Sequence, residues 1–569
     1  YTKNKHKYKN CVVFSPGFGI VRESATLYNN TYGGLLMFNI YHQPYTRGRY
    51  PTIAANGVVA TGNNLAAAAG LQIMREGGNA IDAAIATAAT LTVVEPTANG
   101  IGSDAFAIVW YKDAMYGLNS SGCAPMEISI EKLKEQGITE MPKHGWTPVT
   151  VPGAPKAWAE LSRRFGKLPF AQVLAPAITY ARDGYPVPPE LSRMWKMAVR
   201  SYTDKKDDPV FAQWFQTFTF QGMAPEVGQL VKLPHHAKTL EKIAETQAAA
   251  LYEGELAQRI EEDSIAHGGY LRKKDLQQHK AIWVDPVSVH YHGYDVWELP
   301  PNGQGIVALM ALNILKEFQF AQRDEEMFHH QFEAMKMAFA DGLHHITDAK
   351  YMKTGVQSLL HAAYGRERSQ EIEAFAKQPA VHMPPKSGTV YLCTADSEGN
   401  MASFIQSNYM GFGSGVVVKD TGIALQNRGH DFSLNPNHVN ALVPGKRTYH
   451  TIIPGFLTRN GKAVGPFGVM GGYMQPQGHV QVVMNMIDFH LNPQQALDAP
   501  RWQWVKDKKF IIEDSFDTNI ARKLQEHGHQ LQVDLETAGF GRGQIIVRLD
   551  NGTFMAGSES RTDSSIACW

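Results

Sequence analysis

Several features that would assign this 569-residue sequence quickly are scarce or missing. It has four cysteines, Cys11, Cys123, Cys393 and Cys568, far apart and with no CxxC pair. That usage fits free thiols in a reducing compartment. No uninterrupted apolar run reaches the ~18 residues that span a bilayer, so no membrane segment is expected. Lys+Arg and Asp+Glu both number 54, the formal net charge is zero, and no long basic block occurs. Nucleic acid is therefore not an expected partner. Neither HExxH nor GxSxG is present, which leaves a zinc protease and a serine-elbow hydrolase unsupported. Tyr1 to Asn10 is rich in Lys, Tyr, Asn and His, with no apolar segment behind it. This does not read as a secretory signal and points to the cytoplasm. The first methionine is Met37, and residues 1–36 are expected to be a leader or an appended stretch.

What is present suits a large core, since 44% of residues are apolar. Gly57 to Thr61 reads as a strand. It is followed by a helix capped at Asn63 or Asn64 and ended by Gly77-Gly78. Ala80 to Val94 is small and apolar around most of its circumference, so it predicts a helix buried on nearly all sides. Ala105 to Tyr111 reads as a strand buried on both faces. The stretch from Ile128 to Lys377 is mostly helical in pattern, as in Ala154 to Phe165, Lys238 to Glu245, Gly305 to Phe318 and Glu325 to Ile346. From Thr389 the pattern turns to short strands with Gly, Asn and Asp turns. Examples are Gly415 to Val418, Gly422 to Leu425, Thr451 to Leu457 and Gln544 to Leu549. The chain thus divides into residues 37–388, rich in helix, and 389–569, rich in strand.

Thr389 sits on that seam. It opens the run to Asp396, which leads through the turn Glu398-Gly399-Asn400 into a second strand, Met401 to Ser407. A threonine there can be a β-branched residue that fits the pleat. It can also be a nucleophile, freed when the bond before it is cut, with its own new α-amine as base. Gly471-Gly472 offers backbone N–H groups unobstructed by Cβ, which suits an oxyanion hole or an ordinary turn. Gly411 to Gly415 and Gly100 to Ser103 lack the form of a phosphate loop. The histidines, including His235-His236, His329-His330 and His344-His345, read as surface or packing residues. No metal site is expected; His330 and His344 would stand roughly 21 Å apart on one helix.

The sequence resembles the γ-glutamyltransferase family of N-terminal nucleophile hydrolases. The likeness runs from about residue 55 over nearly the whole chain. It rests on Gly77 to Ala84, Val94-Glu95-Pro96, Gly100-Ile101-Gly102, Val151-Pro152-Gly153, Phe165 to Pro169 and Ala175-Pro176-Ala177. In the second part it rests on Thr389, Asp396, Gly399-Asn400, Phe412-Gly413, Asp431-Phe432, Lys446-Arg447, Pro454, Gly471-Gly472 and Asp498 to Arg501. The resemblance implies an α+β fold, an αββα sandwich made as one precursor. The precursor cuts itself before Thr389 into a large subunit ending at 388 and a small one starting at 389. Thr389 is then the nucleophile, Ser407 a second hydroxyl bonded to it, and Gly471 and Gly472 the oxyanion donors. The acyl group passes to water or to an amino acid or peptide amine, without a cofactor. The fragments remain partners, and a homodimer is compatible with the family.

Departures gather where that family holds the glutamyl group. Ser121 stands where an arginine would grip the α-carboxylate, and serine cannot replace an Arg–carboxylate fork. His450-Thr451 replaces a Ser-Ser pair, Tyr409 an asparagine and Arg428 a glutamine, while Asp431 is kept. Arg428 is a new cation in the same region and a candidate substitute for the lost arginine. Expected substrates are γ-glutamyl compounds or, as in a cephalosporin-acylase-like branch, glutaryl-type amides. The competing expectation is an unprocessed binding protein.

Overall fold

The computed structural model describes residues 48–379 and 388–569, so the expectation for residues 1–36 lies outside the described residues. Two seven-stranded sheets form the centre. The first runs Ser565–Cys568, Gly57–Thr61, Gly388–Asp396, Met401–Tyr409, Asp104–Tyr111, Ala114–Ser120, Ile282–Val284. The second runs Thr52–Ala54, Phe554–Ser558, Arg542–Arg548, Lys462–Met470, Gly455–Arg459, Tyr294–Glu298, Val287–Tyr291. All pairings in both are antiparallel.

The pleat of Gly388–Asp396 explains how the layers stack, because successive side chains point to opposite faces. Tyr391, Cys393 and Ala395 meet Phe456, Met470, Ile546 and Phe554 of the other sheet. Val390 and Leu392 face the other way, into a core with the helices Ala80–Val94, Ala154–Phe165 and Phe170–Asp183. Phe467, Val469 and Ile545 cover the far side of the second sheet. They pack on Gly305–Leu315, Glu325–His345 and Met474–Ile487. The result is helices, sheet, sheet, helices, the expected αββα order.

Local signals worked where they were strong. Asn63 caps Asn64–Arg75 by accepting from the Leu65 amide, and Asn79 with Asp82 forms a capping box on Ala80–Val94. All fifteen residues of that second helix are buried. Asp396 ties its start to the hairpin turn. One oxygen accepts the Ala80 amide at 2.8 Å, and the other accepts the Glu398 and Asn400 amides, each at 3.0 Å.

Other expectations are corrected. Gly415 to Val418 and Gly422 to Leu425 share only an isolated bridge, Val417 to Ala424. Left-handed backbone at Gly413, Gly415, Asp420 and Gly422 takes the chain out of extended geometry there. The strand expected from Thr451 starts only at Gly455. Pro454 lacks an amide proton, and the Ile453 amide is bonded to Gln475 Oε1 at 2.9 Å instead. Three short strands between Ile282 and Glu298 interrupt the helix-rich part, and three helices after Met474 interrupt the strand-rich part. Both parts supply strands to both sheets. Among the described residues no helix is long and apolar enough to cross a membrane.

Candidate active site

Thr389 lies at an irregularity in the ladder. Gly388 pairs with Tyr409 and Val390 with Gln406, so Ser407 and Asn408 both stand opposite Thr389. The bulge turns Ser407 toward the Gly388–Thr389 peptide. The Thr389 hydroxyl is 3.0 Å from Ser407 Oγ and 2.8 Å from the Gly388 carbonyl oxygen. Ser407 Oγ donates to that same carbonyl at 2.8 Å and accepts the Tyr409 amide at 2.7 Å. One consistent assignment of protons follows. Thr389 donates to Ser407, and Ser407 donates to the carbonyl that precedes Thr389. Both hydroxyls are fully buried.

Gly471 and Gly472 follow the strand that ends at Met470, and Met470 and Thr389 line one small cavity. Both glycines have positive φ, +136° and +64°. Among the described residues no acceptor is bonded to either amide. A Cβ on Gly471 would stand 3.2 Å from Gly541 Cα, so the turn has no room for a side chain. Gln304 fixes it by donating to the carbonyls of Gly472, at 2.9 Å, and Thr451, at 2.7 Å.

Beyond Ser407 the same strand delivers Tyr409, whose ring lies under a buried guanidinium: Arg428 Cζ is 4.1 Å from its centroid. Arg428 Nη1 donates to Thr451 Oγ1 at 2.7 Å and stands 3.7 Å from Asp431 Oδ2. Arg428 Nε and Nη2, which make one edge of the planar fork, have no partner among the described residues, and neither has Asp431 Oδ2. Asp431 Oδ1 accepts the hydroxyls of Tyr409 at 2.6 Å and Tyr473 at 3.3 Å. Burial raises the Asp431 pKa, against the pull of Arg428 and the Tyr409 hydroxyl.

His450 faces Asp104, with Nε2 3.0 Å from Oδ2 and both side chains buried. Burial, with Arg428 adding to it, holds His450 neutral, while burial lifts Asp104 to about 7 despite Arg428. Nδ1 accepts the Ile452 amide at 3.3 Å, so Nε2 carries the proton toward Asp104. Ser121 is set apart from this cluster. Its hydroxyl donates to Asn119 at 2.8 Å, and its carbonyl accepts Arg447 Nε at 3.0 Å. Arg428, Tyr409, Thr451 and Asp431 thus come together, with His450 beside them and Ser121 bonded elsewhere. Sequence reasoning missed Tyr473, Asp104 and Gln304. Adjacency to Gly471-Gly472 was a usable signal for Tyr473; the other two carried none.

His329, expected as a surface or packing residue, is buried and bonded through Nδ1 to His529 Nε2 at 2.8 Å. With Glu333 these form a donor set able to hold a metal ion. The Lys336 ammonium, 2.6 Å from Glu333 Oε1, already places a positive charge against that carboxylate.

Residues 66–569 match the family model described as gamma-glutamyltranspeptidase. The chain is 35% identical over 528 residues to the glutathione hydrolase-like YwrD proenzyme of Bacillus subtilis, covering 90% of this chain and 98% of that one. It is 33% identical over 529 residues to the oxamate amidohydrolase proenzyme of Klebsiella pneumoniae, covering 90% and 99%. Among solved structures it superposes on a cephalosporin acylase from Bacillus halodurans with a TM-score of 0.92 at 55% identity, covering 94% of this chain and 99% of that one. With the four-layer fold, these matches place the chain in the γ-glutamyltranspeptidase family of N-terminal nucleophile hydrolases.

Proposed function

We propose that the chain is a self-processing threonine amidohydrolase acting on amides whose acyl group carries a carboxylate. The observation that carries this reading is the Thr389 hydroxyl 2.8 Å from the Gly388 carbonyl oxygen, with Ser407 bonded to both. In the precursor, Thr389 Oγ attacks the Gly388 carbonyl carbon and its proton leaves toward Ser407. The Gly388–Thr389 C–N bond breaks as the Thr389 nitrogen takes up that proton, and an ester to Oγ forms. Water then hydrolyses the ester, freeing a Gly388 carboxylate and a Thr389 α-amine. That amine, with an unperturbed pKa near 7.7–8.0, takes the Oγ proton in each turnover and returns it to the leaving amine. The free amides of Gly471 and Gly472 suit the developing oxyanion. The acyl-enzyme passes to water or to an amine acceptor.

The unpartnered Nε/Nη2 edge of Arg428 has the geometry for a bidentate carboxylate. It supports Arg428 in place of the arginine absent at Ser121. Both γ-glutamyl and glutaryl-type acyl groups satisfy that requirement. Asp431 Oδ1 is held by two tyrosine hydroxyls, while its unpartnered Oδ2, 3.7 Å from Arg428, is an acceptor for the α-ammonium of a γ-glutamyl group, which a glutaryl-type group would leave unused. Among the described residues Cys123, Cys393 and Cys568 form no disulfide, and the cytoplasm is kept as the proposed working compartment.

The test is a denaturing gel with N-terminal sequencing, followed by parallel assays on a γ-glutamyl anilide and a glutaryl amide. Fragments 1–388 and 389–569 are expected, with activity that falls in Arg428→Ala. One uncut band in both wild type and Thr389→Ala rejects the enzyme; activity indifferent to Arg428→Ala rejects the carboxylate site.

A further inference from the structure

The Val94-Glu95-Pro96 turn takes part in none of the steps above. Glu95 is the C-cap of the Ala80–Val94 helix, and its buried Oε2 has no partner among the described residues. With Thr389 it lines a cavity of about 10 Å³, which Gly62, Met470, Arg542 and Gln544 also line. Arg542 Nη1 is 3.7 Å from Glu95 Oε1, and Nη2 is 3.5 Å from Glu190 Oε1. Arg542 Nε and Gln544 Oε1 are likewise buried without a partner. Residues that carry two unmatched acceptors and one unmatched donor therefore line one space, which Thr389 also lines. A space of this size is about what one water needs, and buried waters make about three hydrogen bonds. A water placed here would donate to Glu95 Oε2 and Gln544 Oε1 and accept from Arg542 Nε. It keeps one lone pair for an N–H of Thr389.

We propose that this cavity is a one-water site, and that through its water Glu95 sets the protonation of the Thr389 α-amine in the cleaved enzyme. The inference rests on the cleavage proposed above. Glu95 acts here as a positioning residue, through the water and the amine. It is faced by Arg542 from the Arg542–Arg548 strand, by Asp563 near the C-terminus and by Glu190 from the Pro189–Tyr202 helix. Burial lifts its carboxyl to about 7, Arg542 opposes this, and the two acids add to it. The carboxyl and the amine then titrate as a pair, each charged form favouring the other. Gly62 leaves the needed room, since a Cβ there would stand 3.1 Å from Glu95 Oε2.

The test is the pH dependence of kcat/KM for wild type, Glu95→Gln and Gly62→Ala, after sequencing the N-terminus of each small fragment. In Glu95→Gln the acid limb is expected about one pH unit below that of the wild type, because a neutral amide no longer favours the ammonium. Gly62→Ala keeps the charge but crowds the water, and moves the limb the same way by less. Coincident limbs for wild type and Glu95→Gln overturn this proposal and leave the cleavage reading standing. A wild-type fragment that does not begin at Thr389 overturns both. A high-resolution crystal structure of the cleaved wild type needs no variant to fold. A water bonded to Glu95, Gln544 and the Thr389 amine supports the site; a dry cavity, or a water out of reach of the amine, removes it.

Discussion

The Ser407 hydroxyl stands 3.0 Å from the Thr389 hydroxyl and 2.8 Å from the carbonyl that precedes it, so one side chain touches both the atom proposed to attack and the oxygen of the bond it would attack. Removing it is expected to slow self-cleavage strongly without moving the cut. Ser407→Ala should cleave about 100-fold more slowly, the lower end of what a placed proton-transfer group contributes. Thr389→Ala should stay whole. Band intensities over time after purification of each precursor read this directly, and wild-type cleavage speed in Ser407→Ala would remove the assigned role.

Arg428 predicts a split between substrates. Losing a charged hydrogen-bond partner for the acyl carboxylate costs ~1.5–3 kcal/mol, or about 10- to 100-fold in kcat/KM. Arg428→Ala should show that loss on a glutaryl amide and far less on an uncharged acyl anilide. Arg428→Lys should recover little, because an ammonium lacks the fork and the stacking on Tyr409. Equal losses on both substrates would point to damaged folding instead.

A buried charge cluster predicts the acid limit of stability. Glu559 accepts Arg501 Nη2 at 2.8 Å, Arg561 Nη1 at 2.7 Å and the Gly543 amide at 2.8 Å. Burial pushes its pKa up, but Arg501 and Arg561 outweigh burial and hold it at about 2. A carboxyl depressed in the folded state stabilises above its unfolded value of ~4.3, and that contribution is lost as pH falls from there through about 2. Glu559→Gln leaves the buried Arg501 without its carboxylate partner, while Arg561 keeps Glu513, and should lose ~3 kcal/mol at neutral pH. Denaturant unfolding at pH 7 and pH 3 checks both points: the gap between wild type and variant should narrow at the lower pH.

The fragments should not separate on cleavage. Gly388–Asp396, from the second part, pairs with Gly57–Thr61 from the first, and Gly455–Arg459 pairs with Tyr294–Glu298. Gel filtration of the cleaved protein should give one peak containing both fragments, resolved only in denaturant. Two peaks in native buffer would contradict the ladder.

Much of this was legible where local chemistry and burial agreed. The hairpin from Thr389 was readable because an apolar run, a Glu-Gly-Asn turn and a second strand lie within a few residues of each other. Ala80–Val94 was readable because alanines and other apolar residues run around most of its circumference, as a helix enclosed on every side requires. The Arg428 cluster was legible as a set of unusual residues but not as an arrangement. Its stacking on Tyr409 and its bond to Thr451 join segments far apart in the chain, and no period encodes such a meeting. Glu95 stood inside a recognisable motif, yet its orphaned oxygen follows from Arg542, more than four hundred residues away. The strands between Ile282 and Glu298 were missed because they are too short to outweigh the helical pattern around them.

The shared ladders also bear on timing. Thr389 meets Ser407 only once the hairpin has closed, and it shares a cavity with Met470, which leads into the Gly471-Gly472 turn, only once the second sheet has docked. The proposed cleavage after residue 388 would therefore report that assembly has finished, through the same contacts that would later serve turnover. A misfolded copy would keep its peptide bond and release no amine, so the proposed cleavage would check the structure before any substrate is touched.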